Sequence, residues 1–134
     1  MARSNAFASY QPTVLSLVRI VTGLCFLQHG TQKILGLPAG SNPPSLDLTS
    51  LAGWSGPIEL VGGALIVLGL FTRPTAFILS GFMAVAYWMV HAPHGPYPIN
   101  NGGELAVVYC FVFLYLVFAG PGPIALDRMF GRRR

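Results

Sequence analysis

Four runs of predominantly apolar residues, at about 13–35, 51–71, 75–92 and 104–120, constrain what this chain can fold into. Each is close to the roughly 17–25 residues that an α-helix needs to cross a bilayer. In hydrocarbon no water is present to satisfy backbone N–H and C=O groups, so such a run must satisfy them internally, as a helix. Composition agrees: 9% of the residues are charged, against about 25% in a typical soluble domain. The expected fold class is therefore all-α, a four-transmembrane-helix bundle forming one domain over residues 1–134.

The segments between the runs support these limits. Residues 37–50 are rich in proline and serine, and 93–103 contain three prolines and three glycines. Thr72-Arg73-Pro74 reads as a tight turn, its proline placed to open the next helix. The first run contains Arg19 and has no small-residue cleavage exit, so it reads as a retained helix and not as a cleaved signal. Orientation follows from the basic flanks. Arg3, Arg73, Arg128, Arg132, Arg133 and Arg134 fall on one side and Lys33 on the other, which places both termini in the cytoplasm.

The net charge of +4 does not point to nucleic acid, because the basic residues form no patch with interleaved aromatics. Cys25 and Cys110 lie in apolar runs with no CxxC, the pattern of packing residues more often than of redox centres. Three histidines and the few acids lack metal-ligand spacing, so no metal site is expected.

Ionisable groups inside spans cost at least about 2.5–3.5 kcal/mol each on insertion scales and are commonly functional. At about 100° per residue, Arg19, Gly23, Phe26, Gly30 and Lys33 share one face of the first helix, with His29 at its edge. Ser55, Gly56, Glu59, Gly62, Gly63 and Ile66 form a face of the second, where small residues invite close approach of a neighbouring helix or of a second copy of the chain. Ser80, Met83, Ala84, Tyr87 and His91 align on the third, and Glu104, Val108, Phe111 and Tyr115 on the fourth. His29 lies roughly 9 Å and Glu59 roughly 12 Å in from the outer ends of their helices, at about 1.5 Å per residue. With this topology His29, Gln32, Lys33, Glu59, Tyr87, His91, Asn101 and Glu104 all fall in the outer half. Arg19, near the inner surface, is expected to extend to the cytoplasmic headgroups, and Lys33 and Glu104 are long enough to do the same outside. A Glu59–Lys33 or Glu59–His29 pair that merely fixes helix packing is the plainer alternative to a site. Trp54, Trp88 and Tyr97 suit an interfacial aromatic belt, and His94 a solvated loop.

The linked motifs resemble those of the DoxX family of small four-helix membrane proteins. Gln28-His29-Gly30-Thr31-Gln32-Lys33 resembles the segment that closes its first helix. Glu59-Leu60-Val61-Gly62-Gly63 and Gly69-Leu70-Phe71-Thr72-Arg73-Pro74 resemble its second signature. His91, Asn101-Gly102-Gly103-Glu104 and Gly120-Pro121-Gly122 complete a resemblance over about residues 14–128. It implies a multi-pass protein of the bacterial inner membrane that partners an oxidoreductase handling thiols or quinones, and the motif match carries over to His29, Gln32, Lys33, Glu59, Arg73 and Glu104.

Two functions are expected from these readings. In the first, a quinone binds in the outer half; Glu59 and His29 handle protons, while Gln32, Lys33, Tyr87, His91, Asn101 and Glu104 orient the ligand. No flavin, haem or nucleotide motif is present, so electrons come from a redox partner protein. In the second, the chain is a non-catalytic scaffold whose polar cluster fixes helix packing. A transporter is less favoured, since no inverted repeat or broken helix pair is visible.

Overall fold

The structure, a computed structural model, describes residues 6–41 and 43–131. Arg3 and Arg132, Arg133 and Arg134, used above for orientation, lie outside the described residues. Among the described residues every regular element is helical. The chain divides into two compact units, Met1–Phe71 with Pro121–Arg134, and Thr72–Gly120.

The first unit is an antiparallel pair of helices, α1 (Gln11–Leu35) and α2 (Leu51–Leu68). Pro12 sits in the first turn of α1, where its missing N–H costs no hydrogen bond. Gly36, at φ +67°, ends α1 in the left-handed conformation that glycine adopts without steric cost, and its N–H bonds the Gln32 carbonyl at 3.1 Å. Ser50 caps α2, its Oγ accepting from the Gly53 N–H at 3.1 Å. The buried positions of α1 are Ser16, Arg19, Gly23, Phe26 and Gly30; those of α2 are Gly56, Glu59, Gly62, Gly63 and Ile66. Both faces follow the expected periodicity, except that Lys33 and Ser55 lie at the partly open edge.

Glycine sets how closely the pair packs. A Cβ on Gly30 would stand 2.4 Å from the Leu60 nitrogen, and one on Gly63 2.8 Å from the Leu27 Cα. A Cβ on Gly23 would lie 2.9 Å from the Val67 nitrogen, and one on Gly56 3.1 Å from the Ile34 Cγ1. The contacts step in opposite directions along the two chains, so one antiparallel register seats all four glycines. The glycine face of α2 is thus spent on α1 at Gly56 and Gly63.

In the second unit α3 (Thr72–Ala86) continues into a π-helical turn, Tyr87–His91, and a 3-10 turn, Ala92–His94. A short α4 (Pro98–Asn101) leads into α5 (Glu104–Ala119), which packs against α3. The first turn of α3 already includes Thr72, Arg73 and Pro74, so the expected tight turn lies earlier, at 69–71. Gly69, at φ +65°, stops α2 at Leu68. Pro74 then falls among the first four residues of α3, whose N–H groups have no intrahelical partner.

The fourth run buries Ala106, Tyr109, Phe113 and Leu116, with the Tyr109 and Phe113 rings stacked at 5.8 Å. The face aligned on Glu104 is instead the open one: Glu104, Val108, Phe111 and Tyr115 are all exposed. Where nearly every residue is apolar, periodicity has no contrast with which to choose a face, and an outward Phe loses nothing in lipid.

Three helical stretches are long and apolar enough to cross a membrane: Phe7–Leu35, Leu51–Leu68 and Thr72–His94. The fourth, α5, is apolar over 16 residues, roughly 24 Å at 1.5 Å per residue.

Candidate functional site

Glu59 is the buried acid of the first unit, with 7% of its surface exposed. Gly30 places α1 directly against the turn of α2 that carries it, since a Cβ there would also lie 2.9 Å from the Glu59 carbonyl carbon. One helical turn on from His29, Lys33 closes the contact. Its Nζ lies 2.8 Å from both Glu59 Oε1 and Oε2, the hydrogen bond being directed to Oε1. The same Nζ donates to Ser55 Oγ at 2.9 Å, and that hydroxyl donates to the Ala52 carbonyl at 2.6 Å. The Lys33 side chain is 43% exposed, so the pair has one sealed partner and one open one. His29 is half-buried and lies within electrostatic range of the Glu59 carboxylate.

Gln32 is turned to a different task. Its Nε2 donates to the Pro38 carbonyl at 3.3 Å, tying the loop after α1 back to the helix. Further along that loop Thr49 donates to Asp47 through both its hydroxyl and its N–H, and the hydroxyl bond chiefly holds the Asp47 carboxyl below its ordinary pKa.

The expected residues of the second unit form a network of their own. Asn101 is buried; its Nδ2 donates to the Tyr87 hydroxyl at 3.3 Å and the Gly95 carbonyl at 2.8 Å, and its Oδ1 accepts from the Gly103 N–H at 2.8 Å. His91 Nδ1 lies 3.2 Å from the Asn101 carbonyl oxygen, which can only accept, so Nδ1 carries the proton and Nε2 is the acceptor of the neutral ring. The Tyr87 and His91 rings stack at 6.4 Å on the π-helical turn, a local irregularity frequent at functional sites. Asn101 thereby fixes the 92–103 connection onto that turn. Glu104 is exposed in the first turn of α5, where its negative charge suits the positive end of the helix dipole.

Arg19 departs most from expectation. It is fully buried and does not extend to headgroups. Its Nη1 donates to the Ile66 and Val67 carbonyls at 2.5 and 2.6 Å, its Nε to the Pro121 carbonyl at 2.8 Å, and its Nη2 to the Ile124 carbonyl. The guanidinium fork therefore caps the C-terminal end of α2 and binds residues 121–124 to it. Arg73 does the same for α5, donating to the Val117 and Phe118 carbonyls at 2.5 and 2.8 Å while remaining exposed. Both match cations to last-turn carbonyls at the negative ends of helix dipoles. Sequence reasoning gave Ser55 no role at the site and passed over Asp127. Ser55 was legible from its position one turn before Glu59. Asp127 was legible only as the single acid amid the C-terminal arginines.

The sequence profile of the DoxX family matches residues 14–92. The chain belongs to the DoxX family. The DoxX profile thus spans both sides of the Lys33–Glu59 pair and ends just beyond His91, short of the Asn101–Glu104 and Gly120–Gly122 motifs. An uncharacterized protein of Haemophilus influenzae is 46% identical over 96% of this chain and 99% of its own length. "Inner membrane protein YphA" of Escherichia coli is 32% identical over 91% of this chain and 94% of its own. "Putative oxidoreductase CatD" of Bacillus subtilis is 29% identical over 83% of this chain and 82% of its own. No solved structure matches the chain significantly. With inner-membrane relatives and several helices able to span, this DoxX protein is a multi-pass protein of the bacterial inner membrane.

Proposed function

We propose that this DoxX protein is the membrane partner of a quinone- or thiol-linked oxidoreductase, crossing the membrane four times with both termini cytoplasmic. The ligand on this reading is a quinone-class headgroup at the His29–Lys33–Glu59 cluster. The observation that carries it is the half-open ion pair: a carboxylate sealed inside a span, held by a lysine that is itself 43% exposed. An ammonium group has three N–H donors, and Glu59 and Ser55 take two. The third suits a ligand carbonyl oxygen, with Glu59 and His29 beside it as groups able to exchange protons. Reduction of a quinone to the quinol takes two electrons and two protons. The electrons come from the partner oxidoreductase, consistent with the oxidoreductase name carried by one relative. Within the second unit, Tyr87, His91 and Glu104 are candidates for a ligand contact of their own, whereas Gln32 and Asn101 are committed to loop carbonyls.

The scaffold reading has its own support, because Lys33 and Glu59 pair with one another and bridge α1 to α2 without any ligand. Titrating the purified protein with a short-chain quinone, following Trp54 and Trp88 fluorescence, separates the two. Saturable quenching that weakens at least tenfold in Glu59→Gln and His29→Ala, with folded yield unchanged, supports the ligand site. Linear quenching identical in all three proteins, together with a lower Tm for Glu59→Gln, sinks it in favour of the scaffold.

A further inference from the structure

The polar network of the second unit leaves two hydrogen-bonding groups without a protein partner. The Tyr87 hydroxyl accepts from Asn101 Nδ2 at 3.3 Å, and among the described residues nothing accepts its own proton. His91 Nδ1 donates to the Asn101 carbonyl at 3.2 Å, so Nε2 keeps its lone pair, and no described donor fills it. A phenol O–H and an imidazole nitrogen are thus presented one turn apart, on rings 6.4 Å between centroids and 27° from parallel. Both side chains are half-buried, so they remain open to a ligand. Asn101, itself buried, spends every polar atom of its side chain on holding this arrangement, bonding Tyr87, Gly95 and Gly103. Gly103 adds to it, because a Cβ there would stand 2.6 Å from the Tyr87 ring.

The pair offers one donor and one acceptor, and that decides which ligand satisfies it. A quinone carbonyl only accepts; it fills the Tyr87 donor and leaves His91 Nε2 empty. A quinol hydroxyl does both, its oxygen accepting from Tyr87 while its own proton is given to Nε2. The Lys33 ammonium of the first unit has the opposite character, donors alone, which suits the oxidised form. Trp88, edge-on to Tyr87 with ring centroids 5.5 Å apart and 71% exposed, adds flat apolar surface beside the pair.

We propose that Tyr87 and His91 form a second ligand site, selective for the reduced, hydroxyl-bearing form of the ligand, with Asn101 as a positioning residue. The inference rests on the quinone class proposed above, and the site binds the quinol without a redox step of its own. Each unit carries its own reporter, Trp88 beside Tyr87 and Trp54 next to Ser55 on α2. The test titrates Trp54→Phe protein in detergent, without oxygen, with a short-chain benzoquinol, its quinone, and the quinol dimethyl ether, which keeps both oxygens but has no O–H. Quenching of Trp88 is expected to saturate with a Kd about fivefold lower for the quinol than for the other two, the worth of one added hydrogen bond. His91→Ala is expected to bring the three Kd values together, and His91→Gln, whose amide oxygen can accept, to restore part of the preference. Tyr87→Phe weakens all three alike, since its donor serves each. Equal Kd values for the three compounds, or a quinol preference retained in His91→Ala, would overturn the proposal. Quinol selectivity at Trp88, with no response of Trp54 to quinone in Trp88→Phe protein, would uphold this site and sink the one in the first unit; the reverse pattern would sink this site alone.

Discussion

The two units solve the same packing problem with different means. Between α1 and α2 backbone meets backbone at Gly23, Gly30 and Gly63, Gly56 makes room for the Ile34 side chain, and the buried or paired charges are Arg19, Lys33 and Glu59. In the second unit the buried positions are filled by side chains, Leu79 and Met83 on α3 and Phe113 and Leu116 on α5. The part-buried polar link there is neutral, Ser80 Oγ donating to the Cys110 carbonyl at 2.8 Å, and the charged one, from Arg73 to the end of α5, is exposed. Lipid offers no hydrophobic drive for helix association, so close backbone approach and satisfied polar groups have to supply it. The first unit uses both fully and is the less tolerant of change. It also holds the proposed His29–Lys33–Glu59 cluster, because a glycine that lets backbones touch is what brings Lys33 within reach of Glu59.

The largest effect expected from this contrast is at glycine. Gly30→Ala drives a Cβ into the Leu60 backbone, which no rotamer change can relieve, and is expected to cost about 3 kcal/mol or more. Gly81→Ala, in α3 with nothing within 4 Å of the added carbon, is expected to be neutral or to stabilise by about 0.5–1 kcal/mol. Thermal scans of the two variants in one detergent decide the matter, and equal losses would remove the distinction.

Next come the two arginines. Arg19→Gln takes the side-chain donors from the Val67, Pro121 and Ile124 carbonyls and is expected to cost about 1–3 kcal/mol. Arg73→Gln, at an exposed position, is expected to cost about 1 kcal/mol or less. Limited proteolysis after residue 120 reads the first directly, because a freed C-terminal segment is cut faster; unchanged cleavage in Arg19→Gln would mean that the fork does not hold it.

The smallest effect is at the neutral link. Ser80→Ala removes one interhelical bond and is expected to cost about 0.5–1.5 kcal/mol, with no change in quinone titration. A change in that titration would carry the site beyond the first unit.

The sequence by itself determined the all-helical fold, the extents of α1 and α5 to within two residues, and the inward faces of α1 and α2. In those two helices polar and small residues recur at helical spacing against an apolar background, and that contrast is visible without coordinates. His29, Lys33 and Glu59 were legible for the same reason, as ionisable groups where lipid makes charge expensive. Only the tertiary structure decided which face of α5 turns inward, since a uniformly apolar helix carries no such contrast. It alone assigned the tasks of Arg19 and Gln32 as well. A charged or amide side chain announces that it needs partners, but its partners here are backbone carbonyls, which every residue has and no sequence pattern marks.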